Sequence, residues 1–390
     1  MRLSDKKLII FSHKECWEDK NHPSGYSTKG GFPIQISAIS ALFKETELIN
    51  LVYPSSTKPN GTIPIKGHNL IIKPLIAPKS KGIFRKFHIL FYLVPKNFFK
   101  IIKSINDADI IHCMVPGDLG MVGLIFCIIL KKKTIVRHCG TWGTKDTLSD
   151  KILIWLLENY SGKNLITLAT GGGNMPPSNR NNSIHWIFST TIYNNDFNSI
   201  KQKQIINTNN YQFAYVGRLS KDKNIHFSIL VFSKLLSKFP NSHFHIIGEG
   251  EYKDYLMKYS SSLNISKYIT FHGNLPNKII LTTLQKFDIF LFPTKTKEGF
   301  PKALIEAMAV GLIIFASNIS VIPFLLHDNK SGFVIEDFNV ENTCSKIIGV
   351  LSSQQILKET INNAQLLAKN YSVENWQNEF ESKVKLLYAS

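Results

Sequence analysis

The sequence predicts an α/β chain of two Rossmann-like, doubly wound domains facing each other across a cleft, and three observations predict it. With 390 residues, the chain is long enough to bury two separate cores. Short β-rich apolar runs alternate with helix-length segments, the rhythm of parallel strands joined by covering helices. That rhythm occurs twice, and between its two occurrences lies 193–210, an aperiodic stretch rich in Asn, Gln, Lys and Ile.

In the first half 7–12, 47–52, 109–113, 133–138 and 164–168 read as strands, each a short aliphatic run bounded by polar or turn-forming residues. Segments 31–44, 119–130 and 148–160 have the length of the helices between them. In the second half the strands are 211–216, 243–247, 268–272, 288–292 and 312–316, with helices over 224–238, 252–261, 301–310 and 340–352. The domains that follow are 1–195 and 211–371, joined by a linker over 196–210. A polar helical stretch within 372–390 is expected to cross back onto the first domain. Doubly wound sheets bind ligands beyond the carboxyl ends of their strands, so the chemistry belongs in the cleft.

Hydrophobic residues make up 44% of the chain and charged residues 19%, with 26 Phe and 13 Tyr, which excludes an intrinsically disordered protein. The 46 Lys and Arg outnumber the 28 Asp and Glu to leave a net charge of +18, most of it before Asn195. Such a chain is drawn to nucleic acid, anionic headgroups or phosphorylated small molecules. Cys16, Cys113, Cys127, Cys139 and Cys344 are scattered and form no Cys-x-x-Cys pair. Neither a disulfide framework nor a zinc site is expected, and a reducing, cytoplasmic compartment fits. The apolar run after Lys7 ends at Ser12, too short for a secretory signal. The longest apolar or glycine run, 120–130, falls far short of the roughly 20 residues of a membrane span.

Two segments of the second half carry the chemistry. Thr296-Lys297-Glu298-Gly299-Phe300-Pro301 follows the strand ending at Phe292. Pro301 suits a first helical residue, where its missing N–H costs nothing, and the open N–H groups and positive dipole end of that helix make an anion seat. Glu298 precedes the helix, and Glu306 lies roughly 7.5 Å along its axis from Pro301 at the α-helical rise. Two acceptor carboxylates flanking a phosphate seat fit a ligand with hydroxyl-bearing rings on both sides of a diphosphate, which is what a nucleotide-sugar is. A solvated loop charge at Glu298 and a surface pair between Glu306 and Lys302 fit the same residues. The other segment, Tyr215-Val216-Gly217-Arg218-Leu219-Ser220-Lys221-Asp222-Lys223-Asn224, runs from a strand through a glycine turn to cations before a helix. Lys223 opposes the dipole of that helix unless an anion sits beside it, and Arg218 offers a fork for phosphate oxygens. An exposed basic turn is the competing reading.

Gly217-Arg218-Leu219 with Lys223-Asn224, then Gly248-Glu249-Gly250, Phe271-His272-Gly273, and Glu298 followed by Glu306 together resemble the donor domain of retaining glycosyltransferases of the large family 4 group, which has the GT-B fold. The resemblance covers about 211–352. It implies that Arg218 and Lys223 grip the donor diphosphate, that Glu306 hydrogen-bonds the ribose, and that Glu298 contacts the transferred sugar. The backbone of Gly299 and Phe300, before Pro301, would cradle that sugar and a phosphate. Asn318-Ile319-Ser320 stands where this family often has Gly-Gly, so no contact is carried over to that loop. The implied reaction moves a hexosyl or related sugar from a nucleotide diphosphate to a glycan or lipid-linked glycan, with retention. It requires neither a metal nor a cofactor, since the nucleotide-sugar is itself a substrate.

In the first half the resemblance is thinner. Lys29-Gly30-Gly31-Phe32-Pro33 resembles the family's glycine loop, whose bare backbone approaches the donor phosphates and the acceptor; a flexible turn fits as well. His138, ending a strand, corresponds to a histidine often found at this place in the family. With Glu298 it is the candidate catalytic residue, contacting the transferred sugar or organising the acceptor, against a purely structural histidine. His112, on the neighbouring strand end, is its rival. Asp107-Ala108-Asp109 looks like a metal-binding Asp-x-Asp, but it precedes a strand at the end away from the cleft, so no metal is expected there. Lys79, Lys81, Arg85, Lys86, Lys96, Lys100 and Lys103 come without an acid among them and interleave with Phe84, Phe87, Phe91, Phe98 and Phe99. That mixture suits helices in a lipid interface, broken in two at Pro95, or equally a pair of core-facing helices with a basic outer face.

The expected partners are a nucleotide-sugar donor, a glycan or lipid-linked glycan acceptor and the inner membrane surface. The expected place is the cytoplasmic membrane face, and the expected role is bacterial surface-polysaccharide or lipopolysaccharide biosynthesis. A nucleotide-sugar epimerase on the same fold stays open as an alternative. So does a basic nucleic-acid-binding protein, although no recognition-helix, zinc or aromatic-strand signature supports nucleic acid as a partner.

Overall fold

A computed structural model describes residues 2–78, 80, 82–201, 203, 210–326 and 330–388. The chain divides into two compact units, Met1–Phe188 with Val373–Ser390, and Ser189–Ser372. The first contains strands β1 (Lys7–Phe11), β2 (Cys16–Glu18), β3 (Tyr26–Thr28), β4 (Glu45–Tyr53), β5 (Ile63–Pro64), β6 (Leu70–Ile76), β7 (Ile110–Val115), β8 (Thr134–His138), β9 (Leu165–Thr170) and β10 (Ile184–Ile187). Its parallel core runs β10-β9-β8-β7-β1-β4, with β6 along the far side of β4. Leu8, Ile9, Ile10 and Phe11 are all fully buried, as expected where both sheet faces are covered and a strand reads as one unbroken aliphatic run. The chain steps from β1 out to β4 and β6 and then returns to the other side of β1 at β7, which makes β1 and β7 the switch point of a doubly wound sheet. A short annex, β2-β3-β5, hangs on the end of β4, where Cys16 and Trp17 pair with Val52 and Tyr53.

The second unit contains β11 (Gln212–Val216), β12 (His243–Ile247), β13 (Ile269–Gly273), β14 (Ile289–Phe292), β15 (Ile313–Ser317) and β16 (Phe333–Ile335). All pairs are parallel, in the order β13-β12-β11-β14-β15-β16, and the switch point falls between β11 and β14. Helices Ile225–Leu235, Lys253–Ser262, Lys302–Ala309 and Val340–Leu351 form where the sequence places them.

Three details differ from the sequence reading, and the expected return of the C-terminal helix to the first unit is seen. The helix expected over 31–44 stops at Ser40, because Phe43 turns back to bury its ring and its N–H bonds to the Ser40 carbonyl at 3.2 Å. The segment expected as a linker over 196–210 opens inside a helix, Asn194–Ser199, and the second unit already begins at Ser189; 202 and 204–209 lie outside the described residues. Helix Val373–Leu386 buries Trp376, Phe380 and Val384, one stripe at four-residue spacing, in the first unit, where Gln377 donates to the Ala38 carbonyl at 2.7 Å. His112 is not at a strand end. It sits within β7 opposite Ile135, fully buried, with its ring 5.3 Å from that of Phe380. Asp109, from the Asp-x-Asp, accepts from the Lys7 N–H at 2.9 Å and pairs with Lys6 at 3.0 Å, at the start of β1.

Among the described residues neither ring nitrogen of His112 has a hydrogen-bond partner, and burial, with the charge of Arg137 adding, pushes its pKa down to about 3. The folded protein therefore holds fewer protons than the unfolded chain below the ordinary imidazole pKa, so stability is lost as pH falls from about 6.5 toward 3. At pH 5 this one group costs about 2 kcal/mol. In urea unfolding, His112→Leu is expected to retain about that much of the stability the wild type loses between pH 7 and 5. Equal acid sensitivity in both proteins would contradict the assignment.

Candidate functional site

The segments singled out in the second half leave the carboxyl ends of β11 and β14, the two strands flanking the switch point. The first of them is packed backbone on backbone against the end of the neighbouring strand β12. A Cβ at Gly248 would lie 1.8 Å from the Gly217 carbonyl oxygen, and one at Gly250 would lie 2.2 Å from that of Leu219. The Leu219 N–H donates to the Glu249 carbonyl at 2.9 Å, and the Tyr252 N–H donates back to Leu219 at 3.0 Å. Gly248 donates to the carbonyl of Gly273 at 2.9 Å, so the three glycine motifs form one stack of strand ends behind Arg218.

Lys221–Lys223 is a single 3-10 turn, and Asn224, at φ 56°, takes the left-handed conformation that opens helix Ile225–Leu235. Lys223 Nζ ion-pairs with Glu298 Oε1 across the switch point, and both side chains are mostly shielded, at 11% and 18% exposure. The anion that a lysine before a helix calls for is therefore Glu298, which is not a solvated loop charge. Thr294 Oγ1 donates to the same carboxylate oxygen at 3.4 Å, and Ser320 Oγ donates to the Glu298 carbonyl at 2.6 Å. Ser320 has φ 57°, a conformation glycine adopts freely, at the place where the resembled family has Gly-Gly. Arg218 is 66% exposed, with its guanidinium 3.7 Å from the Asp222 carboxylate. Burial works against that carboxylate, but Ser220 and the charge of Lys223 hold its pKa below the ordinary value. Burial, with Glu298 and Asp222 adding, raises the pKa of the Tyr215 phenol, which stays protonated and donates to the Arg218 carbonyl at 3.3 Å.

Helix Lys302–Ala309 starts one residue after the expected position. Pro301 is its N-cap, with no side-chain cap, and its carbonyl accepts from the Leu304 N–H at 3.0 Å. Glu306 is buried in this helix and accepts from Thr191 Oγ1 at 2.6 Å. Burial raises its pKa, opposed by Thr191 and Lys302. Gly299 is half-buried, and Phe300 is buried with its ring 5.2 Å from that of Tyr371. The structure thus gathers Arg218, Lys223, Glu298, Gly299, Phe300 and Pro301 on adjoining strand ends, with Glu306 inside the helix that follows. Sequence reasoning missed Thr191 and Ser320, the donors that hold the two glutamates.

In the first unit, His138 ends β8 with Nδ1 3.2 Å from the Gly140 carbonyl and its ring edge-on to Trp142 at 5.4 Å; burial lowers its pKa, leaving a neutral imidazole. Gly30, at φ 78°, turns the chain into helix Phe32–Ser40, whose N-cap is Gly31. These two glycines follow β3 rather than β1. Arg137, wholly buried, donates to Gln35 Oε1 at 2.7 Å and lies over Trp376, an arrangement the sequence did not suggest.

Of the basic segment, Lys79 and Lys81 lie outside the described residues. Arg85 pairs with Asp118 at 3.2 Å and Lys86 reaches Ser149 at 3.3 Å, whereas Lys96, Lys100 and Lys103 are exposed. Phe84, Phe87, Phe91 and Phe99 are exposed by 54–85%. The break expected at Pro95 falls instead at Asn97. A π-helical turn, Ile89–Leu93, precedes the proline and shifts the hydrogen-bond register, so that the Val94 N–H bonds to Ile89 and the helix runs on past the missing N–H. Among the described residues no helix is long and apolar enough to cross a membrane.

Two parallel, doubly wound sheets joined in one chain give the GT-B architecture. HepE of Anabaena, solved with UDP and glucose, superimposes with a TM-score of 0.70 at 14% identity, over 97% of this chain and 99% of its own. WaaG, a glycosyltransferase involved in lipopolysaccharide biosynthesis, does so with 0.63 at 12% identity, over 96% and 98%. Residues 196–367 match the sequence model of the family described as glycosyl transferases group 1. The alpha-monoglucosyldiacylglycerol synthase of Acholeplasma laidlawii is 29% identical over 185 residues, 47% of this chain and 46% of the relative. The capsular polysaccharide biosynthesis glycosyltransferase CapM of Staphylococcus aureus is 27% identical over 175 residues, 43% of each. The chain spans about half the length of the curated relatives it matches.

Because the Gly250 position abuts the Leu219 carbonyl, Gly250→Ala must displace the Arg218 turn. Urea unfolding is expected to show a loss of about 3 kcal/mol, and an unchanged midpoint would show that the turn does not depend on this packing.

Proposed function

We propose that this protein is a retaining glycosyltransferase that moves a sugar from a nucleotide diphosphate donor to a glycan or lipid-linked glycan in the biosynthesis of a bacterial surface polysaccharide. The observation that carries the reading is the shielded Lys223–Glu298 pair, beside Arg218 and the uncapped helix start at Pro301, at the switch point of the second sheet. Cations and a helix start converge there on a place for an anion, with a carboxylate adjoining it. The curated relatives support the same direction, since their names describe glycolipid synthesis and capsular polysaccharide biosynthesis.

In the proposed reaction the bond from the anomeric carbon to the diphosphate oxygen breaks, and the acceptor hydroxyl oxygen bonds to that carbon on the same face. The acceptor's proton passes to the departing phosphate. Charge builds on the diphosphate, where Arg218, Lys223 and the helix start at Pro301 stabilise it. No protein nucleophile or metal is required. Glu298 positions the transferred sugar and balances positive charge at its anomeric carbon, and the backbone of Gly299 and Phe300 cradles the sugar. Glu306, one oxygen held by Thr191, accepts from the ribose with the other. His138, a neutral imidazole, organises the acceptor, and Gly30 and Gly31 offer bare backbone to it. The exposed Phe and Lys side chains between 84 and 103 rest on the cytoplasmic face of the inner membrane.

Two outcomes test this reading. Arg218→Ala is expected to lower sugar transfer roughly a hundredfold or more with an unchanged circular dichroism spectrum, and near-wild-type turnover would exclude the site. Co-sedimentation with vesicles containing an anionic lipid is expected for the wild type and to be lost in Phe91→Asp/Phe99→Asp; equal partition of both proteins would remove the membrane contact.

A further inference from the structure

In a doubly wound sheet both faces are covered and the strands read as apolar runs, but the β13 edge of the second sheet departs from that rule. On one face of β11, β12 and β13 stand Gln212, His243, His245, Thr270 and His272, none of them fully buried. Strands β12 and β13 keep register as far as Ile246 and Phe271, and then Ile247 pairs with Gly273, which leaves His272 as the extra residue of a bulge. Bulges re-aim the side chain they free. Here His272 Nε2 lies 3.0 Å from His245 Nδ1, and the two ring centroids are 5.2 Å apart. The other side of the His245 ring is held as well. Its Nε2 is 3.0 Å from Gln212 Oε1, the Gln212 amide is itself oriented by donating to Asn210 Oδ1 at 2.7 Å, and Phe287 stacks on the ring with centroids 4.4 Å apart. An amide oxygen only accepts, so Nε2 carries the proton and Nδ1 turns a lone pair toward His272. Burial lowers the pKa of His243, His245 and His272, that of His245 to about 4, and among the described residues the charges that add are the histidines' own rather than those of a lysine or arginine.

We propose that His245 Nδ1 and His272 Nε2 chelate a divalent late transition metal, zinc above all, across β12 and β13, with water completing the coordination. Neutral imidazole suits zinc, copper and nickel, whereas magnesium and calcium want oxygen. The rings already stand close to the required geometry. At the ~2.0–2.1 Å of a zinc–imidazole bond and a tetrahedral angle, two ligand nitrogens lie about 3.4 Å apart and their ring centroids about 5.2 Å apart. The centroids have that separation now, so each ring needs only to turn on its own centre while the nitrogens part slightly. His272 then moves its proton from Nε2 to Nδ1 through solvent, and two neutral imidazoles hold the ion with no proton released. Gln212, on the far nitrogen of His245, is the outer partner that metal-ligating histidines characteristically have. Among the described residues no three or more His, Cys, Asp or Glu side chains gather to hold a metal, so the site is a two-point chelate rather than a closed cage. His243 is engaged elsewhere, with Nε2 2.8 Å from Thr270 Oγ1. Cysteine spacing gave no sign of zinc, and two histidines 27 residues apart are brought together only by strand pairing and the bulge. The site lies at the β13 edge, away from the switch point between β11 and β14, and the ion takes no part in sugar transfer. It staples the strand whose Gly273 carbonyl accepts the Gly248 N–H.

Calorimetric titration of the full chain, free of any polyhistidine tag, with zinc chloride and then nickel chloride in a non-coordinating buffer tests the site. One tightly held ion per chain is expected, with magnesium chloride giving no heat, and saturating zinc is expected to raise the urea midpoint, as an ion bound to the folded state alone must. His245→Asn and His272→Asn are each expected to weaken zinc at least tenfold and to remove the urea shift, Gln212→Leu to weaken it roughly tenfold, and His243→Asn to leave it unchanged. Should His245→Asn fail to fold, His272→Asn, at an exposed position, decides. The site is refuted if the wild type takes up no zinc, if His245→Asn/His272→Asn binds it as the wild type does, or if His243→Asn loses zinc while His272→Asn keeps it.

Discussion

Most of what distinguishes the second unit can be traced to one interaction, the ion pair between Lys223 and Glu298. A lysine ending a turn at the start of a helix faces the positive end of the helix dipole, and this one is also largely shielded from water. Unpaired, it would be costly, and the carboxylate across the switch point offsets that cost. Keeping the carboxylate there takes further contacts: Thr294 on its side chain, Ser320 on its backbone, and the Lys295 N–H bonded to the Asp222 carbonyl at 2.9 Å, which ties the two loops together. The glycine stack of 217, 248 and 250 holds the Arg218 turn from the β12 side. Under the proposed reaction an incoming diphosphate takes over Lys223, and Glu298 is then released toward the sugar.

Both units pair charges at strand ends and bury polar groups, as Lys6–Asp109 in the first and Glu306 in the second show, but the weight differs. In the second, charges meet charges at strand ends. In the first, polar groups are buried deeply: Arg137 beneath the C-terminal helix with Gln35 as its acceptor, and His112 neutral with no acceptor among the described residues. Both are expensive features in an otherwise aliphatic sheet, and the C-terminal helix that covers them, through Trp376 and Phe380, supplies aromatic faces in place of hydrogen bonds. The same unit stacks Trp17, from a sheet annex only a few residues wide, on Tyr53 of β4.

The strands were legible because sheets buried on both faces need unbroken apolar runs, and 8–11 and 289–292 show such runs plainly. The annex was not, since β2, β3 and β5 are too short to carry a period. Spacing exposed Arg218, Lys223, Glu298 and Glu306 one by one, but not that Lys223 and Glu298, 75 residues apart, hold each other, or that Thr191, 115 residues before Glu306, caps its carboxylate. Pairings over such separations depend on sheet order, which local pattern does not contain. Pro95 misled for a local reason, because a π-turn absorbs what a proline usually breaks. His112 misled because a strand end was drawn two residues early, turning a buried ring into an apparent site residue.

Titration calorimetry of whichever of UDP, GDP and ADP binds the wild type tightest, repeated on Lys223→Met and Glu298→Gln, tests the role of the ion pair directly. If Glu298 holds Lys223 in waiting for a diphosphate, Lys223→Met weakens binding roughly tenfold or more, whereas Glu298→Gln, which frees the lysine, binds at least as tightly as the wild type. Equal weakening in both variants, or full affinity in Lys223→Met, would contradict that role.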